Sequence, residues 1–542
     1  MGFFEGLDEG VTGLVGQWNG YSTGLFTLLV LLISYRVTTA RDPDVHPMLL
    51  ARQSTPATVR NEGESAIYRS LAVPHGMPLI SGLGVKDAGD SRWSRGRDGD
   101  LRDVWRKAVA GNDAGARGRL LTVLGRENVV EHKLEDVTKQ INLIGRHIAE
   151  QGAIRVAVYL PNSVEFLVTV MACAFFPYLT TVLIPFNVSD EELISMVRRS
   201  AVDTVVTAPG SFPLDAVAKA CPSLRELIWV LDEGSSHLDW NEVPEGMGGR
   251  VNVATWQDII RDGSSADTSA DAGQLPEPDP SRAPTDLVAF WQSRPGQLEE
   301  MVRFTQANLV AGIAAQIAAI PTRERMGAGD LFLPAESLAG MHTLVLTLAA
   351  LYSNASIAFN SVAGRSTDLV LATQGVAPTV VVAGPAALLK THAESAAALG
   401  GSPLARAAHA LATRALTQQG VHGSSNVLSA FAAGARPPIG TAPGKLRLLY
   451  TAERAGTETP HLPAGVLSDL RVFTGAKLVY ALTSPRVAGS ISQTAVFDYR
   501  VDEASPRGHF GAPASSVEVY LKDMGPYKTT DDKVEGETKE TS

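Results

Sequence analysis

Residues 155–187 read RVAVYLPNSVEFLVTVMACAFFPYLTTVLIPFN, and this stretch decides the fold class. Ile154–Tyr159 is a β-branched run of strand length, and Thr181–Phe186 is a second. Between them Pro161, Asn162 and Ser163 make a turn and a helix cap. Val164–Phe175 is apolar nearly all round, as a buried helix is. Strand, helix and strand in about 30 residues is the βαβ unit of a parallel sheet.

The same alternation continues on both sides. Upstream, Leu134, Val137, Ile141, Ile144 and Ile148 share one helical face. Downstream, Ser189 caps a helix that runs to Arg199, with Asp190, Glu191 and Glu192 at its positive end, and Val202–Thr207 is a third strand. Residues 263–284, GSSADTSADAGQLPEPDPSRAP, form a polar low-complexity linker. Beyond it come strands at Asp286–Trp291, Asp330–Leu333, Ser356–Phe359, Pro378–Ala383, Leu446–Tyr450, Lys477–Tyr480 and Ser516–Leu521. Helices are expected at Gln306–Ile320 and Gly340–Tyr352. The fold class expected is α/β: a doubly wound lobe over 116–262, and a second over 285–542 that ends in a partial β subdomain. Residues 38–115 read as an irregular juxtamembrane region closing with a helix at Leu101–Val109.

A chain of 542 residues with 45% hydrophobic and 19% charged residues is long enough for several domains with ample core. Its net charge of −10, with no basic stripe among aromatics, argues against nucleic acid as a partner. Cys173 and Cys221 lie in apolar segments and read as buried free thiols, and no Cys/His cluster has metal-ligand spacing. His342, His392 and His409 stand singly on helical stretches and read as surface or core residues rather than catalysts.

The N-terminal segment WNGYSTGLFTLLVLLISYRV, residues 18–37, has its apolar heart at Leu25–Ile33 and aromatic residues near its ends. At about 1.5 Å per residue, 20 helical residues reach across the roughly 30 Å hydrocarbon layer. Residues 1–17 contain Glu5, Asp8 and Glu9 but no Lys or Arg, unlike a signal peptide. One transmembrane helix over 18–37 is therefore expected, behind a short lumenal tail. Arg36 at its end and Arg41 beyond it follow the apolar run and place the remaining chain in the cytosol.

The segment SRPGQLEE, Ser293–Glu300, follows the strand ending at Trp291 and precedes a helix, where a phosphate-binding loop would sit. Such a loop needs glycines, hydroxyls and a lysine. This one has a single glycine, Gly296, and ends in Glu299 and Glu300.

In order, RVAVYLPNSVEFLVTVMACAFFPYLTTVLIPFN, TQANLVAGIAAQ, LFLPAESLAGMHTLVLTLAALYSNASIAF, PTVVVAGPAALLK, KLRLLY, GAKLVYALTS and HFGAPASSVEVYLKDMGPYKTTDDKVEGE resemble segments of the adenylate-forming superfamily. Within it they are similar to the N-terminal domain of membrane-anchored long-chain acyl-CoA synthetases, over about residues 60–538. The family's S-G-T-T-G-x-P-K falls on Ser293, Arg294, Pro295, Gly296, Gln297, Leu298, Glu299 and Glu300, where only the serine matches. The family lysine position is Glu300, which turns attraction for triphosphate into repulsion. The signature Y-G-L-T-E-T falls on Tyr480, Ala481, Leu482, Thr483, Ser484 and Pro485, so Ser484 stands for the glutamate that helps hold magnesium. The glycine-rich adenine turn falls on Thr451, Ala452, Glu453, Arg454 and Ala455, without glycine. The ribose-binding aspartate and the small C-terminal domain with its catalytic lysine would lie beyond Ser542.

The resemblance thus implies a membrane-anchored pseudoenzyme with no catalytic residue and no cofactor, a regulatory or scaffold body that still holds a fatty acid or acyl-CoA, or a protein partner. The segment Leu338–Leu351 would line its acyl pocket. The alternative is an active long-chain fatty acid–CoA ligase, using ATP and Mg²⁺ at an atypical or truncated site. Family resemblance places either at the endoplasmic reticulum, with the mitochondrial outer membrane and the peroxisome as other fits.

Overall fold

The computed structural model describes residues 12, 13, 16 and 19–530, apart from 40, 88, 92, 125–127, 187, 232–250, 267–272, 278–281, 294–297, 365, 424–433 and 502–506. Two large sheets organise it. A seven-stranded sheet runs Glu300–Phe304, Leu287–Trp291, Thr180–Leu183, Arg155–Tyr159, Thr204–Thr207, Glu226–Trp229, Asn252–Thr255. All its pairs are parallel except the first. A nine-stranded sheet runs Ala512–Pro513, Ser492–Gln493, Lys477–Thr483, Leu448–Arg454, Val380–Val382, Leu331–Pro334, Ser356–Asn360, Leu120–Leu124, Asn128–His132. Its centre is parallel and its margins are antiparallel. The α/β class expected from alternating strands and helices is the one observed.

Segments on either side of residues 263–284 contribute to both sheets. Leu120–Leu124 and Asn128–His132 belong to the nine-stranded sheet, while Leu287–Trp291 and Glu300–Phe304 join the seven-stranded one. The largest apolar core is built by the helices Leu134–Glu150, Val164–Phe175, Gln306–Ala319 and Met341–Tyr352. Val164–Phe175 buries every residue but Glu165, and Ser163 Oγ caps it by accepting the Phe166 N–H at 3.1 Å. Burying its Phe, Leu, Val and Met side chains contributes about 1.5–3 kcal/mol each. Ser189 with Glu192 and Thr305 with Asn308 close reciprocal capping boxes on the next two helices that matter here, Asp190–Arg199 and Gln306–Ala319. Cys173 and Cys221 are buried free thiols, and burial pushes the Cys173 thiol up to about 12.

Four expectations change. The loop after Trp291 does not lead directly into a helix: Glu300–Phe304 forms an antiparallel hairpin with Leu287–Trp291 first. Its alternating exposure is that of an edge strand, which hides the signal in EMVRF. The stretch Thr451–Arg454 is not a turn but the second half of a strand, in register with Tyr480–Thr483. Ser516–Leu521 is not a strand either; Val519 makes an isolated bridge to Tyr68.

The fourth concerns the membrane. A helix does form over Gly20–Thr39, but among the described residues no helix is long and apolar enough to cross a membrane. The physical reason is the short apolar run. Leu25–Ile33 covers about 14 Å at 1.5 Å per residue, less than half of the roughly 30 Å hydrocarbon layer. The turn before it holds Gly20, Tyr21, Ser22, Thr23 and Gly24, and Thr27 interrupts it. The expected transmembrane helix over 18–37 is corrected accordingly. The region after this helix is tied to the body: the Tyr499 hydroxyl donates to Asp44 at 2.8 Å, and Gln53 Nε2 donates to Asp498 at 2.8 Å. The helix Leu101–Ala110 starts with a capping box between Asp100 and Asp103, held by the bidentate pair of Arg97 with Asp103 at 2.6 Å.

Candidate functional site

In parallel sheets, ligands bind beyond the carboxyl ends of the strands. Here the ends of both sheets converge. Pro185, Trp291, Arg454 and Ser484 each lie at or just past the end of a strand, and all four line one inner cavity of about 160 Å³. Gly340 to Thr343, at the start of the helix Met341–Tyr352, close its floor. Phe290, Phe304 and Val302 supply apolar walls. A second, outer cavity of about 530 Å³ is lined by hydroxyls, among them Ser293, Ser366, Thr457 and Thr459. Glu336 and Arg454 line both cavities and so form the partition between them.

The positions singled out in the sequence fall around this partition in different states. Ser293 borders the outer cavity, whereas Arg294 and Gly296 lie outside the described residues. Glu300 opens the edge strand, about half exposed, and its carboxylate accepts from Arg486 Nε at 2.9 Å. The charge at the lysine position is thus met by a cation, and the repulsion expected of it is reduced. Its neighbour Glu299 is buried against Arg199 at 3.1 Å.

Glu453 is buried and saturated. The Tyr480 hydroxyl donates to Oε2 at 2.6 Å, and His461 Nδ1 sits 2.6 Å from Oε1. Burial, reinforced by the hydrogen bond to Glu453, pushes the Tyr480 hydroxyl far up. Thr483 lines the inner cavity, and its hydroxyl donates to the Glu453 carbonyl at 3.0 Å. Ala452 lines the same cavity, two residues before Arg454 on one face of the strand. The hydroxyls of Thr451 and Ser484 are fully buried without a hydrogen-bond partner.

Three participants were not evident in the sequence. His342 reads there as a lone surface or core histidine, yet it lines the inner cavity with neither ring nitrogen partnered among the described residues. Burial pushes it down to about 4, so it is a neutral imidazole at pH 7. Glu336 lies in the partition, where burial pushes its carboxyl up against the pull of Arg454. Arg454 stacks over Trp291, 4.2 Å from the ring centroid, and its side chain makes no hydrogen bond or ion pair among the described residues. Burial also pulls the guanidinium below its ordinary value. The one available signal was strand alternation: once 448–454 is a strand, Arg454 shares a face with Ala452.

Buried polar atoms are normally partnered, and the desolvation cost of leaving one unpaired is about 1–3 kcal/mol. Ser484 and His342 bring such groups to the wall of the inner cavity, beside Arg454, while Thr451 lies on the other face of its strand. A ligand with an apolar body and polar end would satisfy them. Among the described residues, no group of three or more His, Cys, Asp or Glu is placed to hold a metal ion.

No family model matches the chain. An uncharacterized protein of Saccharomyces cerevisiae is 24% identical over 298 residues, which are 55% of this chain and 48% of that protein. The chain therefore spans about half the length of this curated relative. Among solved structures, an anthranilate–CoA ligase in complex with anthranoyl-AMP superposes with a TM-score of 0.52 at 13% identity, over 77% of this chain and 64% of that one. The adenylation domain of a carboxylate reductase from Mycobacterium chelonae gives 0.52 at 14%, over 76% and 60%. A coronafacic acid ligase from Pectobacterium brasiliense gives 0.50 at 11%, over 77% and 66%. The chain shares its fold with these adenylate-forming enzymes.

Proposed function

We propose that this protein is a non-catalytic, ligand-binding body on the adenylate-forming fold, holding an acyl group or other carboxylic acid in its inner cavity as a regulatory or scaffold subunit. One contrast carries the reading. The cavity at the strand ends is open and holds unpaired polar atoms, while the carboxylates at positions 300 and 453 are engaged by Arg486, Tyr480 and His461. Adenylation depends on cations aimed at phosphate charge as it develops. Position 300 offers a carboxylate for a lysine, and position 484 a hydroxyl for a magnesium-binding glutamate. The neighbour solved with anthranoyl-AMP supports an acid-derived ligand in a fold of this kind.

Thermal shift of the purified chain tests this, with carboxylic acids and Mg-ATP added separately. A ligand that binds only the folded state contributes about 2.7 kcal/mol at 100 times its Kd. The reading expects an acid to raise the melting temperature and millimolar Mg-ATP to leave it unchanged. A clear Mg-ATP shift would overturn it in favour of an active acid–CoA ligase with an atypical site. The observation on that side is the unpaired Arg454 bordering the hydroxyl-lined outer cavity.

A further inference from the structure

The ligand-binding reading leaves open what kind of acid the cavity takes and what recognises its charge. Two observations bear on this. The first is size. A cavity of about 160 Å³ is close to the roughly 150 Å³ known to hold a benzene-sized guest. Its walls include Phe290, Trp291, Phe304 and Met341, a lining suited to a flat apolar body. No space of this size takes an extended long acyl chain.

The second observation is Arg454. An arginine carries five N–H donors in a rigid fork and is always charged at neutral pH. Trp291 covers one face of the guanidinium at 4.2 Å, but a π-face satisfies no N–H donor. Neighbouring charges do not satisfy it either. Glu453, next in the chain, is on the opposite face of the strand and bound to Tyr480 and His461. Glu336 lines the partition with Arg454 but makes no ion pair with it among the described residues. A fork of donors held rigid by stacking, at the edge of an apolar cavity, is the arrangement that meets a carboxylate with two parallel hydrogen bonds.

We propose that Arg454 reads the carboxylate of the cavity's ligand, and that this ligand is a compact acid of single-ring size. The proposal rests on the ligand-binding reading above and narrows it. The body of the acid lies among Phe290, Phe304 and Met341, and its carboxylate faces the partition at Arg454. Ser484 and His342 line the same cavity, with their polar atoms buried and unpartnered.

Isothermal titration of the full chain at pH 7 with benzoate, benzamide and decanoate tests it. Benzamide keeps the ring and the shape but loses the charge. The expected result is binding of benzoate, benzamide at least tenfold weaker, and no heat from decanoate. Arg454→Gln should weaken benzoate at least tenfold and leave benzamide unchanged, with Arg454→Lys between. Equal affinities for benzoate and benzamide would overturn the role of Arg454, and this comparison needs no variant to fold. Decanoate binding tighter than benzoate would overturn the size limit and leave the acid-binding reading standing. No heat from any of the three would sink both.

Discussion

The Tyr480 hydroxyl donates to the Glu453 carboxylate at 2.6 Å in a buried site, joining adjacent strands through side chains as well as backbone. The same hydroxyl accepts from the Leu462 N–H at 3.3 Å, so the ring also ties the following loop to the sheet. Removing it leaves a buried carboxylate with half-exposed His461 as its remaining side-chain partner. Tyr480→Phe should therefore cost about 1–3 kcal/mol of stability, the penalty of a buried group left short of a donor. Urea denaturation checks this, and an unchanged midpoint would show that His461 alone satisfies Glu453.

Acid should weaken the fold through His342. Its folded value is held at about 4 by burial, below the ordinary 6.5, so the unfolded chain binds the proton more tightly. Stability is then complete above pH 6.5, falls as pH drops toward 4, and levels off below. The gap at about 1.4 kcal/mol per unit makes this contribution about 3 kcal/mol. His342→Leu, similar in volume, should flatten the stability profile between pH 6.5 and 4. A profile of the same slope in the variant would assign the acid sensitivity to other groups.

Two glycines on helices should respond to alanine in opposite directions. A Cβ at Gly312 would stand 2.3 Å from the Ala488 carbonyl oxygen, a backbone atom that has no rotamer to change. This is where the helix Gln306–Ala319 lies against the loop that leads from Ser484 back into the sheet. Overpacking costs about 1–3 kcal/mol, which outweighs the gain of up to about 1 kcal/mol in helix propensity. Gly465, in the first turn of the helix Ala464–Thr474, has nothing within 4 Å of its would-be Cβ. Gly465→Ala should then stabilise by about 0.4–1 kcal/mol. Thermal unfolding of both variants side by side reads the signs directly.

The sheets were legible because buried parallel strands are written as β-branched runs, as in Val156–Tyr159, Thr204–Thr207 and Val380–Val382. The site was less so, for a reason that lies in distance along the chain. Thr451-Ala452-Glu453-Arg454 reads as a polar turn because nothing adjacent explains two charges in an inner strand. Glu453 is held there by Tyr480 and His461, and Arg454 by Trp291, which is 163 positions away. The reading of position 300 had a similar gap. Its identity was visible, but its partner Arg486 lies 186 positions away along the chain. Residue identity at single positions was readable, and pairing between positions was not.

That pairing decides what a reversal at position 300 would do. Glu300→Lys places a cation where the resemblance puts the phosphate-loop lysine but sets it against Arg486, whose guanidinium now sits 2.9 Å from the Glu300 carboxylate. The lost pair is about half exposed, so its contribution to stability is under about 1 kcal/mol, and the variant should fold. Like charges at that separation would push the new lysine outward rather than toward a phosphate. Under the proposed reading, position 484 would still present a hydroxyl in place of the resembled superfamily's magnesium-binding glutamate. Glu300→Lys alone should therefore give no thermal shift with millimolar Mg-ATP. The double variant Glu300→Lys with Ser484→Glu is the stricter test, since it supplies both charges at once. A clear Mg-ATP shift in the single variant would show that one substitution separates this chain from nucleotide binding, and the argument from Arg486 and Ser484 would fall with it.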